Sequence, residues 1–231
     1  MRVFKTKAGP FAERPYYPDA DIEAICTDEL AKLNLLPNQP QPIRIDRFIE
    51  RRFVTPSYMD LGEGILGLTK FSANGVAEII VSTRLDAEGS KISERRVRTT
   101  LAHEGGHGLL HAHLFALESD KPALFGDFSD PAKPKVLCRD EKNSGHEYCG
   151  DWWEVQANKA MSCLLMPKRL VDAAIAPYLT PQGRLGLKAL AQSDKQRAVR
   201  ELSDVFDVNP VVVRLRIEQL YPETGGGQLT L

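Results

Sequence analysis

The segment Leu101-Ala102-His103-Glu104-Gly105-Gly106-His107 restricts what this chain can fold into more than any other stretch. It has the form H-E-x-x-H. On an α-helix, residues four apart lie one turn along the same face, so both imidazoles can reach one ion. Glu104 sits beside the first histidine, tilted off the ligand face, where it can hydrogen-bond a metal-bound water without ligating. Imidazole and carboxylate donors suit zinc, and a three-ligand site leaves a position open for water. The same pentapeptide also occurs by chance in helices that merely pack. Its interior weighs against that reading: Gly105, Gly106 and Gly108 each weaken a helix by about 1 kcal/mol relative to alanine. A helix that keeps them needs a neighbour at close range, whether a strand, a substrate or a metal. Ser93 is the expected N-cap of this helix, which carries Val97, Leu101 and Leu110 on its apolar positions.

The third ligand has three candidates. His113 falls ten residues after His103, but the glycine that would let the helix turn there is replaced by Leu110. In a continuing helix His113 points about 120° away from His107. His111 shares the ligand face but lies about 6 Å further along the axis, too far for the same ion. Both are expected to be supporting or surface residues. Glu154, in Asp151-Trp152-Trp153-Glu154-Val155-Gln156-Ala157-Asn158, could equally be the third ligand or the N3 residue of a capping box begun by Asp151.

Around these motifs, Asp21 to Leu35 reads as an amphipathic helix ended by Pro37, Pro40 and Pro42. Short β-like runs follow at Ile43 to Ile45, Arg52 to Val54, Ile65 to Phe71 and Val76 to Ser82, the last two joined through Asn74-Gly75, a strong hairpin signal. A small, mostly antiparallel sheet is expected, and its strand Val76 to Ser82 could take an extended substrate by strand addition. Lys121 to Gly150, with three prolines and three glycines, reads as a long loop. Another helix begins near Asp151 and stops before Pro167. Beyond Pro181 the chain reads as helical: Gln196 to Phe206, then a break, then Pro210 at N1 of a helix to Leu220, a pair resembling a helix–turn–helix.

Composition restricts partners. The 231 residues carry 30 Lys+Arg against 31 Asp+Glu, so no bulk charge draws the chain to nucleic acid or an anionic membrane. Across the C-terminal helices Arg197, Arg200, Arg214 and Arg216 are balanced by Glu201, Asp204, Asp207 and Glu218. That is a poor footprint for DNA. No apolar run approaches the roughly 20 residues of a membrane span, and the N-terminal residues do not form a signal-peptide core, so a cytoplasmic location is expected. The four cysteines form no C-x-x-C pair, and a second metal site from Cys138, His146 and Cys149 would match no common structural-zinc spacing.

Taken together, Arg98-Thr99-Thr100-Leu101-Ala102-His103-Glu104-Gly105-Gly106-His107 and Glu154-Val155-Gln156-Ala157-Asn158 running on to Leu164-Leu165-Met166-Pro167 resemble the ImmA/IrrE-type metallopeptidases. Their pattern is an H-E-x-x-H helix followed by a second helix reading E-x-x-A-N and ending in L-L-M-P. The resemblance spans roughly residues 20 to 180. Gly105 departs from it, standing where the family usually has leucine or isoleucine. The resemblance implies an α+β, zincin-like (gluzincin) catalytic domain, placed over residues 1–180; the helical pattern beyond it gives a C-terminal helical region over 181–224, and Gly225-Gly226-Gly227 a flexible tail over 225–231. The resemblance further implies one zinc held by His103, His107 and Glu154, with Glu104 as general base. The implied activity is a zinc metalloendopeptidase that cleaves a protein, a helix–turn–helix transcriptional repressor of a bacterium, phage or mobile element. A transition-state donor is sought in the loop between the two motif helices, where His146 and Tyr148 are candidates. The rival classes are a DNA-binding regulator and a metal-bound interaction protein with an idle site.

Overall fold

The computed structural model describes residues 2–5, 13–85, 87, 89–119, 135–140, 152–182 and 187–222. They form an α+β fold of seven helices and a small mixed sheet. A two-stranded N-terminal hairpin, β1 (Arg2–Lys5) and β2 (Glu13–Tyr16), precedes helix α1 (Asp19–Lys32). The α1 helix buries Ile22, Cys26 and Leu30 at intervals of four, with Asp19 and Asp21 in its first turn, where acidic groups favour the helix dipole. Asn34 takes a left-handed conformation, φ 56°, and lets the Leu35 amide bond back to Leu30, closing the helix.

Ile43 to Val54 is not strand. It contains α2 (Ile45–Arg52), which buries Ile45, Phe48 and Ile49. That 1-4-5 spacing is helical, and it outweighs the β-propensity of Ile43 to Ile45 and Arg52 to Val54. The main sheet has the order β3 (Ser57–Met59), β5 (Gly75–Ser82), β4 (Ile65–Ser72), β6 (Lys135–Asp140). The β4–β5 hairpin turns as expected, with Gly75 at φ 108°. The strand expected to receive a substrate is flanked on both sides: β4 pairs along it, and β3 runs parallel to it over Ile80–Ser82. In place of an unbroken loop, the stretch after Lys121 supplies β6, which pairs antiparallel with β4.

Helix α3 (Lys91–Ser119) packs against β4 and β5 and carries the H-E-x-x-H motif. Its cap is Ser90 rather than Ser93: the Ser93 amide donates to Ser90 Oγ at 3.1 Å and the Ser90 amide to Ser93 Oγ at 3.0 Å. Ser93 thus fills the N3 place of a reciprocal cap. Helix α4 (Trp152–Leu165) lies along α3, and Gly106 permits the approach. A Cβ there would stand 2.9 Å from the Ala157 carbonyl oxygen and 3.0 Å from Ala160 Cβ. Both atoms belong to or adjoin the α4 backbone and cannot swing aside. Gly106→Ala is therefore expected to lose about 1–3 kcal/mol to overpacking despite better helix propensity, read as a lower denaturant midpoint.

After α4 come α5 (Lys168–Ile175) and a small hairpin, β7 (Leu179–Gln182) with β8 (Leu187–Leu190). The chain beyond Pro181 is therefore not helical at once. Helices α6 (Gln192–Phe206) and α7 (Pro210–Leu220) follow, with Pro210 at the start of α7 as expected. One apolar core runs from Ile22 and Phe48 through Leu101 and Leu164 to Phe206, Val213 and Ile217. The α6–α7 turn is tied to α3: Arg95 donates to Asp204 and Asp207, both at 2.9 Å, and Arg98 Nε donates to the Asp207 carbonyl at 3.2 Å. On α7, Arg216 is fully buried, ion-paired with Glu23 and donating to the Met166 carbonyl at 2.9 Å. Removing one member of a buried ion pair costs about 3–5 kcal/mol. Glu23 keeps some contact with water, so Arg216→Leu is expected near the lower end, measured by equilibrium unfolding. Among the described residues no helix is long and apolar enough to cross a membrane. The 225–231 tail lies outside the described residues.

Candidate metal centre

Three side chains from two helices converge. His103 and His107, one turn apart on α3, bring their Nε2 atoms to 3.0 Å from each other. Glu154, in the first turn of α4, places Oε2 3.1 Å from His103 Nε2 and Oε1 3.2 Å from His107 Nε2. All three are buried. In a tetrahedral zinc site with bonds of 2.0–2.1 Å, neighbouring donor atoms stand about 3.3 Å apart. The triangle is already near that size. Among the described residues this is the group of His, Cys, Asp and Glu side chains that could hold a metal ion. Glu154 thus faces the histidines; its alternative capping partner, Asp151, is outside the described residues.

The donor chemistry fits a cation. His103 Nδ1 lies 3.0 Å from Asn158 Oδ1. That oxygen can only accept, so the proton of a neutral His103 sits on Nδ1 and a lone pair on Nε2 faces the centre. Glu154 Oε2 is buried and accepts no hydrogen bond. Burial alone would raise the Glu154 carboxyl; positive charge and donated hydrogen bonds from protonated His107 and His103 would outweigh it and hold the group well below the usual carboxylate range, so with neutral imidazoles that positive charge has to come from a cation. A buried carboxylate and inward-facing nitrogen lone pairs repel one another unless a positive charge stands among them.

Glu104 is fully buried beside this group on α3. Thr69, on β4, donates from Oγ1 to Glu104 Oε2 at 2.7 Å. That bond fixes the orientation of the carboxyl group. Gly67, two residues earlier on the same strand, makes room for it: a Cβ there would stand 3.0 Å from Glu104 Oε1 and 2.5 Å from Thr100 Cγ2. The β4 strand therefore shapes the environment of Glu104 with one hydroxyl and one missing side chain.

No local signal gives Thr69 or Gln156 a role, and Asn158 stands out only as the last residue of the E-x-x-A-N pattern. Asn158 was accessible, since it follows Glu154 by four and so shares its face. Thr69 was not, because only strand register sets it opposite Glu104. His111 is no surface residue: it is fully buried, with Nδ1 3.0 Å from His107 Nδ1 and Nε2 3.0 Å from Gln156 Oε1. As the helix geometry requires, it touches His107 and does not join the three donors. Burial, reinforced by His107, pushes its pKa well below the usual histidine value. His113 is partly buried and outside the converging group. His146, Tyr148 and Cys149 lie outside the described residues, as does the side chain of Cys138 in β6. No protein-family model matches the chain, and none of the curated proteins compared with it is significantly similar.

Proposed function

We propose that this chain is a zinc-dependent endopeptidase of the ImmA/IrrE type, with a zincin-like catalytic domain and a helix–turn–helix repressor as its substrate. The observation that carries the reading is the convergence of His103, His107 and Glu154 beside a Glu104 carboxylate oriented by Thr69. A zinc ion held by these three residues would polarise a peptide carbonyl and bring the pKa of a bound water toward about 7. Glu104 acts as the general base, taking a proton from the attacking water and delivering it to the leaving amine. Thr69 holds Glu104 in orientation while it does so. Asn158 holds His103 in the tautomer that ligation needs. His146 and Tyr148, outside the described residues, are the candidates for the oxyanion donor.

The C-terminal helices favour a protein partner over DNA. Arg216 is consumed by its buried pair with Glu23, and Arg197 is paired with Glu201 at 3.0 Å. Too few cations remain for a phosphate-binding face. Incubating the zinc-loaded chain with the repressor encoded beside it, with and without a chelator, tests the reading. A discrete cut that chelation abolishes is expected. Bound zinc with no cut would favour an idle, metal-bound interaction protein, and salt-dependent retention of DNA would favour a regulator.

A further inference from the structure

Behind His107 runs a chain of polar contacts whose direction is fixed from its far end. The carbonyl of Pro15, on β2, can only accept, and Gln156 Nε2 donates to it at 2.8 Å. The amide of Gln156 is thereby oriented with Oε1 toward His111 Nε2, 3.0 Å away. An amide oxygen only accepts, so His111 carries its proton on Nε2. A metal held by His107 Nε2 leaves the His107 proton on Nδ1, so the 3.0 Å contact between the two Nδ1 atoms requires His111 to present a lone pair there. His107 must donate there. Its remaining nitrogen, Nε2, is left with a lone pair directed at His103 and Glu154.

We propose that His111 is a positioning residue: through the chain Pro15–Gln156–His111–His107 it sets the tautomer of His107 and holds its Nε2 lone pair on the metal, so that the N-terminal hairpin is coupled to metal affinity. This rests on the reading of His103, His107 and Glu154 as a metal centre. The two ligand histidines are thus held by different means, His103 by the Asn158 side chain one turn beyond Glu154 and His107 by a second imidazole. Trp152 reinforces the arrangement, its ring set edge-on to His111 at 5.7 Å, with Arg14 of β2 placed 6.0 Å from that ring.

Leucine and asparagine have the same shape, and only asparagine offers His107 an acceptor as many bonds from the backbone as His111 Nδ1. Loss of an outer-shell partner typically costs 10–100-fold in metal affinity. In competition against a chelator, His111→Leu is expected to bind zinc about 10–100-fold more weakly than the wild-type chain, and His111→Asn to recover most of that loss. A second measurement needs no variant: long-range proton–nitrogen NMR of the zinc-loaded wild-type chain should show His111 protonated on Nε2 and bare on Nδ1. Equal zinc affinity of the leucine and asparagine variants, or a His111 protonated on Nδ1, would overturn the proposal. A wild-type chain that takes up no zinc would instead remove the metal reading beneath it.

Discussion

On the proposed metallopeptidase reading, Glu104→Gln is expected to bind zinc like the wild type and to lose peptide cleavage. Glutamine has nearly the shape of glutamate and can still accept the hydrogen bond that Thr69 Oγ1 gives Glu104 Oε2 at 2.7 Å. The converging group of His103, His107 and Glu154 does not include Glu104, so metal content should match the wild type. An amide cannot take a proton from water at neutral pH, and a positioned base contributes about 10²–10⁴-fold. Turnover of the proposed repressor substrate should fall by that factor, followed by timed gel assays at matched zinc occupancy. Retained turnover would remove Glu104 from its role. Thr69→Val should give a smaller loss of the same kind, since it removes the hydroxyl that orients the base and leaves the base in place.

Glu154→Ala is expected to have the opposite signature. Glu154 places one carboxylate oxygen 3.1 Å from His103 Nε2 and the other 3.2 Å from His107 Nε2, and brings the negative charge. Removing it should weaken zinc binding by more than the 10–100-fold typical of a lost supporting contact. Zinc that binds only the folded chain stabilises it by about 4 kcal/mol at a thousand times Kd. The wild-type melting temperature should therefore rise with added zinc, and that of Glu154→Ala should not. A residue that merely capped α4 would behave differently, costing about 0.5–2 kcal/mol and leaving zinc occupancy intact. Without metal the variant also loses the attraction between the Glu154 carboxylate and the His103 and His107 imidazoles, so the zinc-dependent rise in melting temperature, and not the metal-free value, separates ligation from capping.

What the sequence made legible follows from the range of the interactions involved. The pairing of His103 with His107 is a property of one helical turn, and the hairpin of β4 and β5 is a property of one turn and two alternating runs. Both could be read directly. Helix α2 is disguised because Ile43 to Ile45 and Arg52 to Val54 are short β-rich runs, whereas the decisive pattern is Ile45, Phe48 and Ile49 on one face. Strand β6 exists through its ladder with β4, a long-range pairing that the surrounding prolines and glycines disguise. The same limit applies at the centre. The intervals between residues could place His111 one turn beyond His107 and no further, whereas its partner Gln156 and the Pro15 carbonyl that orients it come from two other elements.

The glycines of the H-E-x-x-H helix show how a local cost is explained by a distant contact. Gly106 weakens α3 on its own terms, yet its missing Cβ lets the Ala157 carbonyl approach within reach. That approach brings α4, and with it Glu154, up to the two histidines. The helix propensity given up at Gly106 is thus tied to the geometry of the centre, and Gly106→Ala should reduce zinc affinity together with stability.

X-ray absorption at the zinc edge of the loaded wild-type chain tests the central claim most directly. The account requires a four-coordinate site with two imidazole nitrogens and oxygen as the remaining donors, all at about 2.0–2.2 Å. Sulfur at about 2.3 Å, or a shell without imidazole, would contradict it and place the metal elsewhere in the chain.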